Sequence, residues 1–210
     1  MSRRKLLDLF CGAGAASVGY ERAGFDVTGV DWFSQSSYPF DCYLADAMTF
    51  PLDGFDVVHA SPPCQRYSHA TPHRTRAGHP DLLDAIFRRL VESGLPFIVE
   101  NVPLSPMVPD VVLCGSMFGL TVRRHRWFAT RPRLTRPAPP CRHDGLLAFE
   151  DADEKVYAAA MGIDWMTNRE SKQAIPPAFA EFLGRQMLAV LDGTRSPRDH
   201  TPIDLDLTVT

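Results

Sequence analysis

Lys5-Leu6-Leu7-Asp8-Leu9-Phe10-Cys11-Gly12-Ala13-Gly14 runs from an apolar stretch straight into a glycine turn. Its first half predicts a buried strand, and Ala15, Ala16, Val18, Tyr20 and Ala23 beyond it predict a small-residue helix stopped by Gly24. Strand, glycine turn and helix in that order open an α/β sheet, and such a turn lets a ligand approach the backbone closely. Val27-Thr28-Gly29-Val30 predicts a second strand ending in Asp31, 19 residues after Gly12. That is near the spacing at which an acidic side chain meets ribose hydroxyls in nucleotide-binding sheets. The turn reads FxGxG with Ser17 beyond it, so the GxGxxG of nicotinamide dinucleotide sites is not met.

Further along, Phe55-Asp56-Val57-Val58-His59-Ala60 predicts a strand that ends in Ser61-Pro62-Pro63-Cys64-Gln65. Two prolines stiffen this loop and remove two backbone donors, and a cysteine at a strand end is displayed toward the crevice where α/β sheets bind ligands. Asp46, before that strand, is placed to accept from an exocyclic amine or simply to be a solvated loop acid. Asp81 to Ser93 predicts a scaffold helix, with Leu82, Leu83, Ile86, Phe87, Leu90 and Val91 on one face and Gly94 at its end. Pro96-Phe97-Ile98-Val99 then predicts a strand ending in Glu100-Asn101. If the two strands are parallel neighbours, Cys64 and Glu100 share one crevice.

Leu113 to Leu120 is apolar and broken by glycines, Trp127-Phe128-Ala129 predicts a short strand, and Arg131 to Arg142 carries four prolines and predicts a loop. Cys141 and His143 are potential metal ligands, but without a second pair they fall short of a zinc signature, and no metal is expected. Pro176-Pro177 opens a final helix with Phe179, Phe182, Leu183, Met187, Leu188 and Leu191 on its apolar side. One domain over residues 1–192 is expected, with a basic, Pro-rich excursion at about 130–155 and a loosely held tail at 193–210.

The net charge of −3 conceals a segregation. No acidic residue lies between Val111 and His143, a window containing Arg123, Arg124, Arg126, Arg131, Arg133, Arg136 and Arg142. A second acid-free window, Val57 to Pro80, carries Arg66, Arg74 and Arg76 after Cys64. Such segregation is the footprint of phosphate-backbone binding, with ordinary solvated surface as the plain alternative. Five widely spaced cysteines without a CxxC pair argue against a disulfide framework and for a reducing, cytoplasmic setting. No apolar run reaches membrane-spanning length, and no signal peptide is expected.

The order of these motifs resembles the cytosine-C5 DNA methyltransferase family, from Leu7 to about Leu188. Asp8 to Gly14 with Ala23-Gly24-Phe25 is similar to the family's cofactor loop, Asp31-Trp32 to its ribose-binding acid and adjacent aromatic, and Asp46 to its adenine-contacting acid. Ser61 to Gln65 with Ser68 is similar to the nucleophile loop, Glu100-Asn101-Val102 to the cytosine-binding pair, and Arg124-His125-Arg126 to the Arg-x-Arg. Lys172-Gln173-Ala174-Ile175-Pro176-Pro177 stands where the family usually has Gly-Asn-Ala-Val-Pro, and the interval for target recognition is short.

The resemblance implies a class I methyltransferase, Rossmann-like α/β fold: a mostly parallel sheet with helices on both faces and one antiparallel strand near the arginine segment. It implies S-adenosylmethionine at Phe10, Gly12, Gly14, Asp31, Trp32, Asp46 and Pro62, with S-adenosylhomocysteine as product. Catalysis would fall to Cys64, Glu100, Asn101, Arg124 and Arg126. Arg124 or Arg126 is expected to lower the Cys64 thiol from the free value of about 8.5, and Glu100 is expected to have a raised pKa. Double-stranded DNA would be held by Gln65, Arg66, Ser68, Arg74, Arg76, Arg123, Arg131 and Arg133. A monomer is expected, reading a short target or relying on a protein partner for a longer one. An RNA methyltransferase shares every catalytic motif, a catalytically inactive DNA-binding relative would have lost one, and a nicotinamide oxidoreductase gives Cys64 and Glu100 no joint purpose.

Overall fold

The computed structural model describes residues 2–137, 139–144 and 153–196. Strand β1 (Lys5–Leu9) turns through Phe10 to Gly14 into helix α1 (Ala15–Ala23), and β2 (Asp26–Asp31) returns parallel to β1. Outside β2 lies β3 (Asp41–Leu44), while β4 (Val57–Ala60) pairs with the other side of β1. A single helical turn, α2 (His73–Arg76), and the longer α3 (Leu83–Ser93) lead to β5 (Phe97–Asn101), parallel to β4. After β6 (Val111–Leu113) and a 3-10 turn (Gly115–Phe118), β7 (Arg126–Arg131) inserts between β5 and β6. The seven strands are ordered β3-β2-β1-β4-β5-β7-β6, and β7 alone is reversed, as expected for the arginine segment. Three helices follow: α4 (Glu154–Ala160), α5 (Asn168–Gln173) and α6 (Pro177–Leu191).

Successive strand residues face opposite sides of a sheet, and here each side is sealed by different helices. Leu6, Val27, Val57, Ile98 and Phe128 pack against Tyr20 of α1 and Phe179 and Leu183 of α6. Their neighbours Leu7, Val58, Phe97, Val99 and Ala129 pack on the other face against Leu83, Ile86 and Leu90 of α3. Burying each large side chain contributes about 1.5–3 kcal/mol, and this two-sided burial makes the strands near-continuously apolar. Helices α1 and α6 approach closely because Gly19 and Gly184 lack side chains. A Cβ on Gly19 would stand 2.1 Å from the Pro177 carbonyl oxygen, and one on Gly184 2.8 Å from the Ala23 methyl.

Two strands, β3 and β6, and the helices α2, α4 and α5 go beyond the sequence-based reading. All four residues of β3 are exposed, so this edge strand carries no apolar alternation to read. Helix α4 supplies Tyr157, with Met161 and Ile163 beyond it, to a third apolar cluster with Ala15 and Val122. Described residues on the C-terminal side of the Pro-rich excursion therefore pack back onto the turn of β1 and the arginine segment. Residues 145–152 of the excursion and 197–210 of the tail lie outside the described residues.

Candidate active site

Every parallel strand ends at the same edge of the sheet. Phe10 to Gly14 follow β1, Asp31 closes β2, Ser61 to Gln65 follow β4, and Glu100 and Asn101 close β5. Because β7 is reversed, its beginning reaches this edge too: Trp127 pairs with Asn101 and Phe128 with Glu100. Arg126 thereby meets Glu100, Nε to Oε1 at 2.8 Å, with both side chains nearly buried. That carboxylate oxygen accepts no hydrogen bond among the described residues. Asn101 Nδ2 donates to the Pro62 carbonyl at 3.3 Å, and its Oδ1 accepts from the Val102 N–H at 2.9 Å. The amide thus ties the Cys64 loop to the end of β5. Cys64 itself is half-buried, and its carbonyl accepts from the N–H groups of Tyr67 and Ser68, both at 2.9 Å.

Burial raises the Glu100 carboxyl above its ordinary value, against the opposing pull of Arg126, Ser61 and Arg124. The expected direction is met. For Cys64 it is not: burial first, and then the Glu100 charge, push the thiol up, and Arg126 and Arg124 offset this only in part. Arg124 is committed elsewhere. Its Nη2 donates to the carbonyls of Lys172 and Ala174, both at 2.7 Å, and its Nη1 to the Tyr157 hydroxyl at 3.4 Å. These bonds tie it to the segment before α6, while its charge still lowers both the Cys64 thiol and the Glu100 carboxyl.

At the β1–β2 end, Asp31 Oδ2 accepts from the Gly12 N–H at 2.9 Å and Oδ1 from the Phe33 N–H at 3.0 Å. Phe10 holds a φ of 61°, in the left-handed region, as do Gly12 and Gly14. A Cβ on Gly12 would meet nothing within 4 Å, so the turn is open there, whereas one on Gly14 would stand 2.8 Å from the Pro39 ring. Trp32, 65% exposed, stands beside it as an unpacked aromatic surface. Asp46 Oδ1 accepts from the Met48 N–H at 2.8 Å. An open glycine turn, a strand-end carboxylate and an exposed ring fit an adenosine-bearing cofactor.

The basic residues divide. Gln65 and Ser68 lie in the turn that begins at Cys64, and Arg74 is exposed on α2. Arg66 pairs with Asp81 at 3.2 Å and Arg76 donates to the Thr71 carbonyl at 3.0 Å, so both brace the loop after Cys64. Arg123 is exposed next to the clamped Arg124. Arg131 and Arg133 do not belong to this edge. Arg131 pairs in register with Phe97, the first residue of β5, and Arg133 pairs with Asp110 at 3.0 Å. At about 3.3 Å per residue along β7, Arg131 lies roughly 16 Å from Arg126, and the antiparallel direction is the physical reason.

Sequence reading gave no part of their own to His59 and to the Ser61 hydroxyl. Asp8 and His59 are register partners on β1 and β4, both buried. His59 Nδ1 shares a hydrogen bond with the Tyr20 hydroxyl and Nε2 with the Ser61 hydroxyl, each at 2.8 Å, and burial lowers the imidazole to about 3, so it is neutral. Asp8, which accepts from the Ser17 hydroxyl, is raised to about 7 by burial against that hydrogen bond. A buried polar line therefore leads from beneath the glycine turn to Ser61 at the Cys64 loop. Cys141 and His143, left as an incomplete pair by the sequence, lie against Cys114 and His125.

The family model described as C-5 cytosine-specific DNA methylase matches residues 4–104. The type II methyltransferase M.AplI of Arthrospira platensis is 32% identical over an alignment covering 48% of this chain and 32% of that protein. The chain thus spans about a third of the length of this curated relative. Among solved structures, the Entamoeba histolytica methyltransferase EhMeth superposes with a TM-score of 0.60 at 10% identity, covering 93% of this chain and 100% of that one. The S. pombe Dnmt2 methyltransferase superposes at 0.59 and 11% identity, covering 90% and 100%. At these identities the likeness is one of fold, and the fold is that of the class I methyltransferases.

Proposed function

We propose that this chain, whose residues 4–104 match the C-5 cytosine-specific DNA methylase family model, methylates C5 of cytosine in double-stranded DNA. The observation that carries this reading is one strand edge holding the Cys64 thiol, a buried Glu100 with an unbonded oxygen, and Arg126 2.8 Å from that oxygen. S-adenosylmethionine, the methyl donor of this family, would be held by Phe10, Gly12, Gly14, Asp31, Trp32 and Asp46 and supplies an electrophilic methyl group when bound.

Cytosine C5 is a poor nucleophile until something adds to C6. The Cys64 thiolate forms that bond; the displaced electron pair makes C5 enamine-like, and Glu100 delivers a proton to ring N3. Burial raises this carboxyl above its ordinary value, which brings it closer to the basicity a proton donor at N3 needs. Once C5 carries its methyl, the N3 proton returns to Glu100, solvent water takes the C5 proton, and the electron pair so released re-forms the C5–C6 double bond and expels the Cys64 thiolate. Arg126 spends Nε on Glu100 and Nη1 on the His125 carbonyl, and its remaining N–H groups would meet the base carbonyl. The thiol, raised in the free protein, ionises when an electrophilic ring and Arg126 are both beside it.

A base inside a duplex cannot reach Cys64, so the target nucleotide is flipped out beneath the loop of Arg66, Arg74 and Arg76. With Arg131 and Arg133 at the far end of β7, few side chains among the described residues remain for base-edge contacts. Each good contact supplies about 1–3 kcal/mol of discrimination, so a target of about two to four base pairs, or a protein partner for a longer one, follows. Tritium transfer from labelled S-adenosylmethionine to duplex DNA and to folded RNA tests the proposal. Label in 5-methylcytosine of DNA is the expected result, whereas label confined to RNA would replace DNA as the substrate.

A further inference from the structure

We propose that Cys114, His125, Cys141 and His143 form a structural zinc site that pins the Pro-rich loop to the arginine strand. The four ligand atoms all lie within 4.8 Å of one another. Cys114 Sγ is 3.7 Å from His143 Nε2, Cys141 Sγ is 3.8 Å from His125 Nε2, and the two imidazoles stand edge to face with centroids 4.9 Å apart. A tetrahedral zinc ion, with bonds of about 2.3 Å to sulfur and 2.0–2.1 Å to nitrogen, requires its ligand atoms roughly 3.3–3.8 Å apart. The observed cluster is that tetrahedron slightly opened. Pairwise hydrogen bonding does not require all four atoms to converge on one point, whereas a shared cation does.

The donor set selects the metal. Two thiols and two imidazoles, with no carboxylate, suit zinc and exclude calcium or magnesium. Four protein ligands leave no open coordination position, so the site is structural. Its surroundings are ordered as well: the Ser116 hydroxyl donates to Cys114 Sγ at 3.5 Å and accepts from the Arg142 N–H at 3.0 Å. That one hydroxyl joins the two halves of the ligand set in the manner of an outer-shell group.

Placement gives the site its consequence. Cys114 follows Leu113, whose register partner is Arg126, and His125 stands between Arg124 and Arg126. Cys141 and His143 end the loop that runs from the far end of β7 back to the crevice. Zinc therefore closes that loop and holds the arginine segment from its outer side, while Arg124 and Arg126 face the crevice. The Pro-rich connection thereby gains rigidity where it meets the arginine segment.

The full chain, purified from zinc-replete medium without chelator, is expected to carry one zinc per molecule by elemental mass spectrometry. Cobalt(II) in its place should give tetrahedral ligand-field bands and thiolate charge transfer. Cys114→Ser and Cys141→Ser should lose the metal and both signatures, and Cys42→Ser should keep them. If the buried Cys114→Ser variant fails to fold, His143→Ala, at the exposed end of the loop, supplies the same test. Wild-type protein that holds no zinc, variants that hold it undiminished, or a Cys114–Cys141 disulfide in the purified chain would each overturn the proposal.

Discussion

Arg126 Nε stands 2.8 Å from Glu100 Oε1 in an ion pair, with the two side chains only 10% and 8% exposed, yet that oxygen accepts no well-directed hydrogen bond among the described residues. The guanidinium compensates the buried carboxylate charge, and the strand-end position of Glu100 supplies the place for a ligand to complete its hydrogen bonding. The pair also couples to Cys64, because Glu100 raises its thiol and Arg126 lowers it.

That coupling sets the reactivity of the thiol in the free protein. Alkylation of Cys64 by iodoacetamide, followed by peptide mass spectrometry across pH, should give a pKa above that of free cysteine. Glu100→Gln should lower it by removing a raising charge, and Arg126→Gln should raise it further. Equal pKa values in all three proteins would separate Cys64 from this pair.

Asp8 predicts a pH dependence of stability. Its folded-state value near 7 lies above the unfolded 3.8, so its contribution is fully present below about 3.8 and is lost as pH rises toward and through 7. The loss is roughly 2–4 kcal/mol at most. Urea denaturation of the wild type should show this decline between pH 4 and 8, and Asp8→Asn, which cannot ionise, should flatten it. A wild type that gains stability over the same range would contradict the buried, uncharged Asp8.

Asp31→Ala should weaken S-adenosylmethionine binding by about 1–3 kcal/mol, because ribose hydroxyls lose their acceptor and the Gly12 and Phe33 N–H groups lose theirs. Calorimetry on the folded variant measures this directly. Unchanged affinity would move the ribose elsewhere.

The basic residues should separate in the same way as their positions. Arg74→Ala should lower DNA affinity and reduce the slope of log affinity against log salt by about 1. Arg133→Ala, far from the crevice and paired with Asp110, should leave both unchanged. Equal effects at the two positions would restore the far end of β7 to the DNA surface.

Much of this was legible in the chain because buried strands bounded by glycine, proline and charge announce themselves. Leu6 to Leu9, Val57 to Ala60 and Phe97 to Val99 are such runs, and parallel pairing alone brings Cys64 and Glu100 to one edge. Which arginines the reversed strand would carry to the crevice was harder to read. Arg126 and Arg131 look alike in sequence, and only the reversal of β7 sends one to the crevice and the other away. The exposed β3 carries no periodicity, and His59 looks like any polar residue in a strand until its two hydrogen bonds are seen. The spacing of Cys114, His125, Cys141 and His143 matches no short motif, because their convergence depends on β6, β7 and the return of a long loop.

The central claim is that Cys64 is the nucleophile acting on cytosine in duplex DNA. Fluorine at C5 leaves no proton to eliminate, so the C6–S bond cannot break after methylation. Incubating the full chain and S-adenosylmethionine with duplex DNA containing 5-fluorocytosine should give a denaturation-resistant complex that maps to Cys64 by mass spectrometry. Cys64→Ser should give none. Normal methylation by the serine variant, or an adduct at another residue, would contradict the account.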